Sequence, residues 1–246
     1  MIDIHCHLLP NIDDGSQSWE ESLEMARLAS QDGIRVAIAT PHWIQGTKWQ
    51  PSADEIKTKV RELNQRIRES EISLTVLAGM EIGISENLCS LVSSGKILTL
   101  GESPCLLIEI PYVSLPYGIE DIIFSLNLIK TLPILAHPER NKEIQRNPKR
   151  VLELVNAGAY VQVTAGSLYG YFGEHARRCA LELAKLGMIH AVATDAHSVE
   201  ERPPFLSKSL EVLEEVIGKE KTEELFACTY RLIGIESQTE KQELSS

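Results

Sequence analysis

The stretch MIDIHCHLLPNIDDG, residues 1–15, decides how the rest of the chain is read. It is a short apolar strand ending in His5-Cys6-His7, followed within one loop by Asp13-Asp14-Gly15. Residues two apart on a strand face the same side, so His5 and His7 aim together while Cys6 aims away, toward the core. Two imidazoles side by side, with carboxylates one loop on, form a metal-ligand arrangement rather than a packing one. A single histidine is more often a satisfied core or surface residue. A same-face pair followed by similar groups downstream is not.

Outward from this stretch, strand and helix patterns alternate. Ser18 and Glu21 fit a capping box opening a helix with the apolar stripe Leu23, Met25, Ala26 and Ala29, and Gly33 stops it. Ile34 to Ala39 is a β-prone run ending in Thr40-Pro41-His42. Ser52 and Glu55 open a charged helix to about Glu69, and the strand from Ile72 to Ala78 delivers Met80-Glu81. After a short helix over Glu86 to Val92, Cys105 to Ile110 reads as a strand covered on both faces, except that it carries Glu109. A helix from about Glu120 to Lys130 leads to the strand Pro133 to Ala136, which ends in His137-Pro138-Glu139-Arg140. Asn147-Pro148 reads as an N-cap with proline at the first helical position, opening a helix to Gly158. Ala159 to Thr164 is a strand, Gly173 to Leu186 a helix, and Ile189 to Thr194 the last strand, ending in Asp195-Ala196-His197. Helices near Leu206 to Ile217 and Lys221 to Leu232 precede a polar tail, about 235–246, expected to fray.

About seven alternations with no biased linker predict one α/β domain over 1–246, its parallel sheet closed or nearly closed into a barrel. His5 and His7, His42, Glu81, Glu109, His137, and Asp195 with His197 all fall at or just past the carboxyl end of a strand. That end of a β/α barrel carries the active site. Trp43, Trp49 and Tyr112 fall in loops on the same face, where they are candidates for pocket walls. His190 is out of step with Asp195 and reads as structural, as does His175 in mid-helix.

A net charge of -11 argues against a protein that grips nucleic-acid backbone over a broad surface. Five cysteines without a CxxC pair read as reduced thiols, and no basic segment leads into a long apolar run, so a cytoplasmic protein without signal peptide or membrane insertion is expected. No cysteine has an arginine six residues later, which removes the thiolate loop of cysteine-based phosphatases.

Five histidines, Glu81, Glu109, Asp195 and one of Asp13 and Asp14 make nine nitrogen and oxygen donors, enough for two or three ions where a carboxylate bridges. Imidazole and carboxylate without thiolate point to manganese, iron or zinc. Clustered divalent ions suit phosphate-ester hydrolysis, because they activate water and clamp phosphoryl oxygens. Arg140, three residues after His137, and Arg202, five after His197, offer guanidinium forks that match phosphate oxygens.

The series His5-Cys6-His7, Asp13-Asp14-Gly15, Thr40-Pro41-His42, Glu81, His137-Pro138-Glu139-Arg140 and Asp195-Ala196-His197 resembles the motifs of the polymerase-and-histidinol-phosphatase (PHP) superfamily. Within it, MIDIHCHLLPNIDDG, IATPH and AHPERNKEIQRNP resemble the bacterial CpsB/CapC-type tyrosine-protein phosphatases of capsule and exopolysaccharide clusters, over Met1 to about Gly234. The resemblance implies a distorted (β/α)7 barrel with three divalent ions, usually manganese. It implies removal of phosphate from the tyrosine-rich tail of a partner bacterial tyrosine kinase, and ring-like homo-oligomers for some members. By motif match the ligands are His5, His7, Asp14, His42, Glu81, Glu109, His137, Asp195 and His197. Arg140 and Arg202 match phosphate-contacting arginines, and Asp14 is a candidate to assist the leaving group. The rival readings are a small-molecule PHP phosphatase, such as one for histidinol phosphate, and a non-catalytic scaffold that binds the kinase tail.

Overall fold

A computed structural model describes residues 1–235, so the expected polar tail from 236 onward lies outside the described residues. The strands are β1 (Ile2–Cys6), β2 (Val36–Ala39), β3 (His42–Trp43), β4 (Thr75–Ala78), β5 (Glu81–Gly83), β6 (Cys105–Glu109), β7 (Leu132–Ala136), β8 (Tyr160–Thr164) and β9 (Ala191–Ala193). The helices are α1 (Trp19–Gln31), α2 (Ala53–Glu69), α3 (Leu88–Ser93), α4 (Ile119–Leu128), α5 (Lys142–Arg146), α6 (Arg150–Asn156), α7 (Ala165–Leu168), α8 (Glu174–Lys185), α9 (Ser207–Ile217) and α10 (Lys219–Ile233). Every strand pairing is parallel, in two sheets ordered β1-β2-β4 and β3-β5-β6-β7-β8-β9.

The two sheets are joined through strand interruptions. β2 runs into β3 across Thr40-Pro41, and β4 runs into β5 across Gly79-Met80. Hydrogen bonding persists through both interruptions, with the Gly79 amide donating to Ala39 (2.9 Å) and the Glu81 amide to Pro41 (3.1 Å). Gly79 is required by space, since a Cβ there would lie 2.9 Å from Ile38 Cγ2. Beyond the interruption, His42 and Glu81 sit opposite each other in register, so one kink delivers two site residues together.

The last strand returns to the first. The Asp195 amide donates to His5 O and the His7 amide to Ala196 O, each at 2.8 Å. Asp3, buried, fills the remaining gap: its carboxylate accepts from the Thr194 amide (3.0 Å), the Thr194 hydroxyl (2.5 Å) and the His5 amide (3.3 Å).

Helices cover the sheets. Ser18 and Ser52 cap α1 and α2 by accepting from the Glu21 and Glu55 amides, as the capping boxes predicted. Ile56, Val60, Leu63 and Ile67 then form the buried face of α2. A second apolar cluster packs Ile2, Ile4, Leu107, Ile134 and Ala193 from the strands with Ile233 of α10.

Two local expectations are corrected, and two short helices are added. Asn147-Pro148 does not cap a helix: Asn147 ends α5, and α6 begins at Arg150 with no side-chain cap. α5 and α7, of five and four residues, are too short to show a periodic apolar stripe. Trp43 belongs to β3 rather than a loop. Strand alternation turns it away from His42 into the core, where it is fully buried, so it forms no pocket wall.

Burial pushes the Asp3 carboxyl up to about 6, against the hydrogen bonds from Thr194 and His5. Its native pKa lies above its ordinary 3.8, so the folded chain holds a proton there that the unfolded chain releases. The Asp3 contribution therefore declines as pH rises through that window. Urea unfolding across pH should show that slope in the wild type, flattened in Asp3→Asn. Asp3→Ala, which strands the two Thr194 donors, should lose roughly 2–5 kcal/mol.

Candidate metal centre

His5 and His7 aim into one buried cluster, and their outer nitrogens are already committed. His5 Nδ1 donates to Gln162 Oε1 of β8 (2.9 Å), and His7 Nδ1 donates to Asp13 Oδ2 (2.6 Å). In the neutral rings both Nε2 atoms are left as lone pairs, and they face each other at 3.3 Å. Glu81 Oε2 lies 3.2 and 3.4 Å from them, and Asp195 Oδ1 lies 3.3 and 3.5 Å away. Four electron-rich atoms in a site closed to solvent repel one another unless a cation sits among them.

The neighbouring contacts repeat this pattern. His42 Nδ1 is 2.9 Å from Glu81 Oε2, yet neither buried atom makes a hydrogen bond. His137 Nε2 meets the other Glu81 oxygen at 2.9 Å. The donor atoms fall into four groups able to hold an ion: His7-Asp14-His42-His197, His5-His7-Glu81, His5-His137-Asp195 and His42-Glu81-Glu109. These groups contain every residue that the motif match assigns as a ligand. The donor set, imidazole and carboxylate without thiolate, fits divalent ions.

The structure separates the two adjacent aspartates, which spacing alone leaves open. Asp13 is a buttress: it also accepts from the Gly15 amide (2.9 Å) and the His42 amide (2.9 Å). Asp14 is half-exposed, with Oδ1 3.5 Å from Nε2 of both His42 and His197.

Electrostatics divide the set. Against burial, the neighbouring carboxylates raise the His5, His7 and His42 pKa values, so an ion entering there displaces protons. Glu81, Asp195, His137 and His197 are already in their ligating forms. Although burial opposes ionisation, His5 and His137 hold Glu81, and His5 and Arg140 hold Asp195, well below the usual carboxylate range. Burial and the Arg140 charge push His137 down to about 4, and burial and His7 push His197 down to about 4. Both rings are thus neutral near pH 7, the state that ligates metal. Burial, reinforced by Glu81, raises Glu109 to about 7.

Arg140 and Arg202 converge on one atom. Each donates through Nη2 to Asp195 Oδ2, at 2.6 and 2.5 Å, and Arg140 also donates to Thr164 Oγ1 (2.7 Å). The Nε of each is buried without a hydrogen bond, that of Arg140 lying 4.0 Å from Glu139 Oε1. His137 and Asp195 both have positive φ, 34° and 53°, in the left-handed region that side-chain-bearing residues avoid. Such strain, of order 1–3 kcal/mol per residue, persists where surrounding contacts enforce it.

Trp49 stacks on His42 (5.1 Å between centroids, 21°) and half-exposed Tyr112 lies parallel to His137 (6.0 Å, 2°), so these two do wall the mouth. His190 lies outside the cluster and accepts from the Val161 amide, while His175 is exposed on α8. Cys6 faces away and is buried in the core. Sequence reasoning passed over Gln162, whose only signal is one amide inside the apolar strand Tyr160–Thr164. It also passed over Glu139, buried and accepting from the Thr164 amide and the Ser167 hydroxyl.

A parallel α/β chain that gathers imidazoles, carboxylates and arginines at the carboxyl ends of its strands has the architecture of a metal-centred hydrolase. Comparison with known proteins narrows this. The family model for capsular polysaccharide synthesis, CpsB/CapC, matches residues 1–231, and the chain belongs to this family. It is 41% identical over 221 residues to the tyrosine-protein phosphatase YwqE of Bacillus subtilis, covering 89% of this chain and 86% of YwqE. It is 35% identical over 210 residues to the putative tyrosine-protein phosphatase CapC of Staphylococcus aureus, covering 85% and 82%. A crystal structure from work on YwqE and Streptococcus pneumoniae CpsB, described as unique metal-dependent tyrosine phosphatases, superposes with a TM-score of 0.91 at 38% identity, covering 96% of each chain.

If Asp13 fixes the His7 tautomer, Asp13→Ala should weaken divalent-ion binding roughly 10- to 100-fold. Manganese titration of metal-stripped protein reads this, with Asp13→Asn losing less. Unchanged affinity in both variants would exclude the buttress.

Proposed function

We propose that this chain is a metal-dependent protein-tyrosine phosphatase that removes phosphate from the tail of a partner bacterial tyrosine kinase and so regulates capsular or extracellular polysaccharide synthesis. The observation that carries the reading is the inward-facing lone-pair cluster of His5, His7, Glu81 and Asp195 beside two arginines whose Nε donors make no hydrogen bond. The family and the tyrosine-phosphatase names of its relatives support the substrate class. In this reading the strands form a distorted (β/α)7 barrel of the PHP type, with β2/β3 and β4/β5 each counted as one interrupted strand. The enzyme would meet the kinase tail in the cytoplasm; among the described residues no helix is long and apolar enough to cross a membrane.

His5, His7, Asp14, His42, Glu81, Glu109, His137, Asp195 and His197 would hold three divalent ions, manganese first, with iron or zinc as alternatives. Bound there, such ions lower the pKa of water and neutralise phosphoryl charge. The remaining work belongs to the chain. Gln162 and Asp13 hold His5 and His7 in the tautomers that present Nε2 inward. Arg140 and Arg202 offer N–H donors to the equatorial oxygens as charge builds there. The leaving phenol has a pKa of about 10, so it needs only modest help. Asp14, at the rim between His42 and His197, is held below the usual carboxylate range by its hydrogen bond to His197. Near pH 7 it would therefore assist by orienting a water that protonates the phenolate rather than by giving up a proton of its own. Trp49 and Tyr112 flank the space the tyrosine ring would enter.

The test is phosphate release from a phosphotyrosine peptide by metal-stripped protein reloaded with manganese. The expected result is manganese-dependent release, abolished in His137→Ala, with kcat/KM roughly 10²- to 10³-fold lower in Arg140→Ala. Turnover of histidinol phosphate alone would instead establish the small-molecule phosphatase. Peptide binding without turnover by the metal-loaded protein would establish the scaffold.

A further inference from the structure

We infer that Phe172 is a positioning residue, an aromatic platform that holds the guanidinium groups of Arg140 and Arg202 ready for a phosphoryl group. For the identity of the anion the inference rests on the phosphatase reading above.

The two arginines pose a problem that Asp195 alone does not solve. Both donate through Nη2 to the same oxygen, Asp195 Oδ2, so two like charges are drawn onto one carboxylate atom. That atom is part of the buried cluster and is nearly inaccessible to water. A second carboxylate, buried Glu139, lies 4.0 Å from Arg140 Nε and offsets part of the Arg140 charge, but it takes up no hydrogen bond there and, among the described residues, makes no ion pair with Arg202. An aromatic face offsets the remaining repulsion without consuming any N–H donor, because the quadrupole of the ring attracts the flat side of a guanidinium and leaves its edge free.

Phe172 has that placement. Arg140 Cζ lies 3.6 Å from the ring centroid and Arg202 Cζ lies 5.6 Å from it. The Nε of each arginine remains buried without a hydrogen bond. The ring is itself fixed from two sides. It rests against Gly166, where a Cβ would stand 2.9 Å from Phe172 Cε2, so any larger residue would push it off its seat. The neighbouring Tyr171 ring meets it edge-on (5.0 Å, 77°), and the Tyr171 hydroxyl donates to the carbonyl of Glu201, the residue before Arg202. The turn carrying Phe172 is thereby tied to the turn carrying Arg202, and through the ring both are tied to Arg140 after β7.

The platform acts through the arginines, so its signature is anion affinity at unchanged metal content. Binding of inorganic phosphate to the manganese-loaded full chain would be measured by calorimetry, with metal content checked for each variant. Phe172→Leu, which keeps apolar bulk and loses the π face, should weaken phosphate binding roughly 5- to 30-fold, whereas Phe172→Tyr should stay within about twofold. In an Arg140→Ala background the Phe172→Leu loss should shrink to below about twofold, since its main cation is gone. Should Phe172→Leu fail to fold, 3,4,5-trifluorophenylalanine at position 172 keeps the ring shape while depleting its face, and phosphate binding should still weaken. Wild-type phosphate affinity in Phe172→Leu or in the fluorinated protein, an undiminished loss without Arg140, or a wild-type chain that does not bind phosphate would each overturn the proposal. Phosphate binding that responds to Phe172 in a protein inert toward phosphotyrosine peptides would uphold the platform and overturn the substrate assignment instead.

Discussion

The structure turns on one unfavourable approach: the Nε2 lone pairs of His5 and His7, 3.3 Å apart, face each other and the carboxylates of Glu81 and Asp195 in a site closed to water. Among the described residues no lysine or arginine reaches the centre of this arrangement. The two arginines reach only the far oxygen of Asp195. Protons can offset the repulsion in part, and this is the sense in which the carboxylates draw the His5, His7 and His42 pKa values upward against burial. Divalent ions satisfy the same lone pairs with defined geometry and more charge.

Much of the surrounding fold serves to keep these groups together. The interruptions at Thr40-Pro41 and Gly79-Met80 set His42 opposite Glu81. The Asp3–Thr194 contacts lock the first strand to the last, which brings Asp195 over His5. His137 and Asp195 accept left-handed backbone at the ends of their strands. Local strain at two donors, enforced by parallel pairing on either side, is what a preorganised site costs.

The candidate donors were legible because all but Asp14, which lies in the loop after β1, are polar residues at or near the end of an apolar strand, and that contrast survives in one dimension. What escaped reading acts across long separations. Gln162 meets His5 from 157 residues away, and a lone amide in a strand does not announce its partner. Asp13 and Asp14 are chemically identical neighbours, and only the fold makes one a buttress and the other a rim donor. Trp43 was misplaced because a two-residue strand has no period to detect, so its inward turn could not be anticipated. Phe172 lies in a stretch with no polar signature, and the role inferred for it appears only when two arginines from other strand ends lie over its ring.

The most direct measurement is anomalous diffraction at the manganese edge from crystals of the manganese-loaded full chain. The account predicts three peaks inside the cluster, bounded by His5, His7, Asp14, His42, Glu81, Glu109, His137, Asp195 and His197, with Asp13 and Gln162 outside bonding distance of any ion. A manganese-loaded cluster with no peak between His5, His7, Glu81 and Asp195, or ions held instead through Asp13, would contradict it.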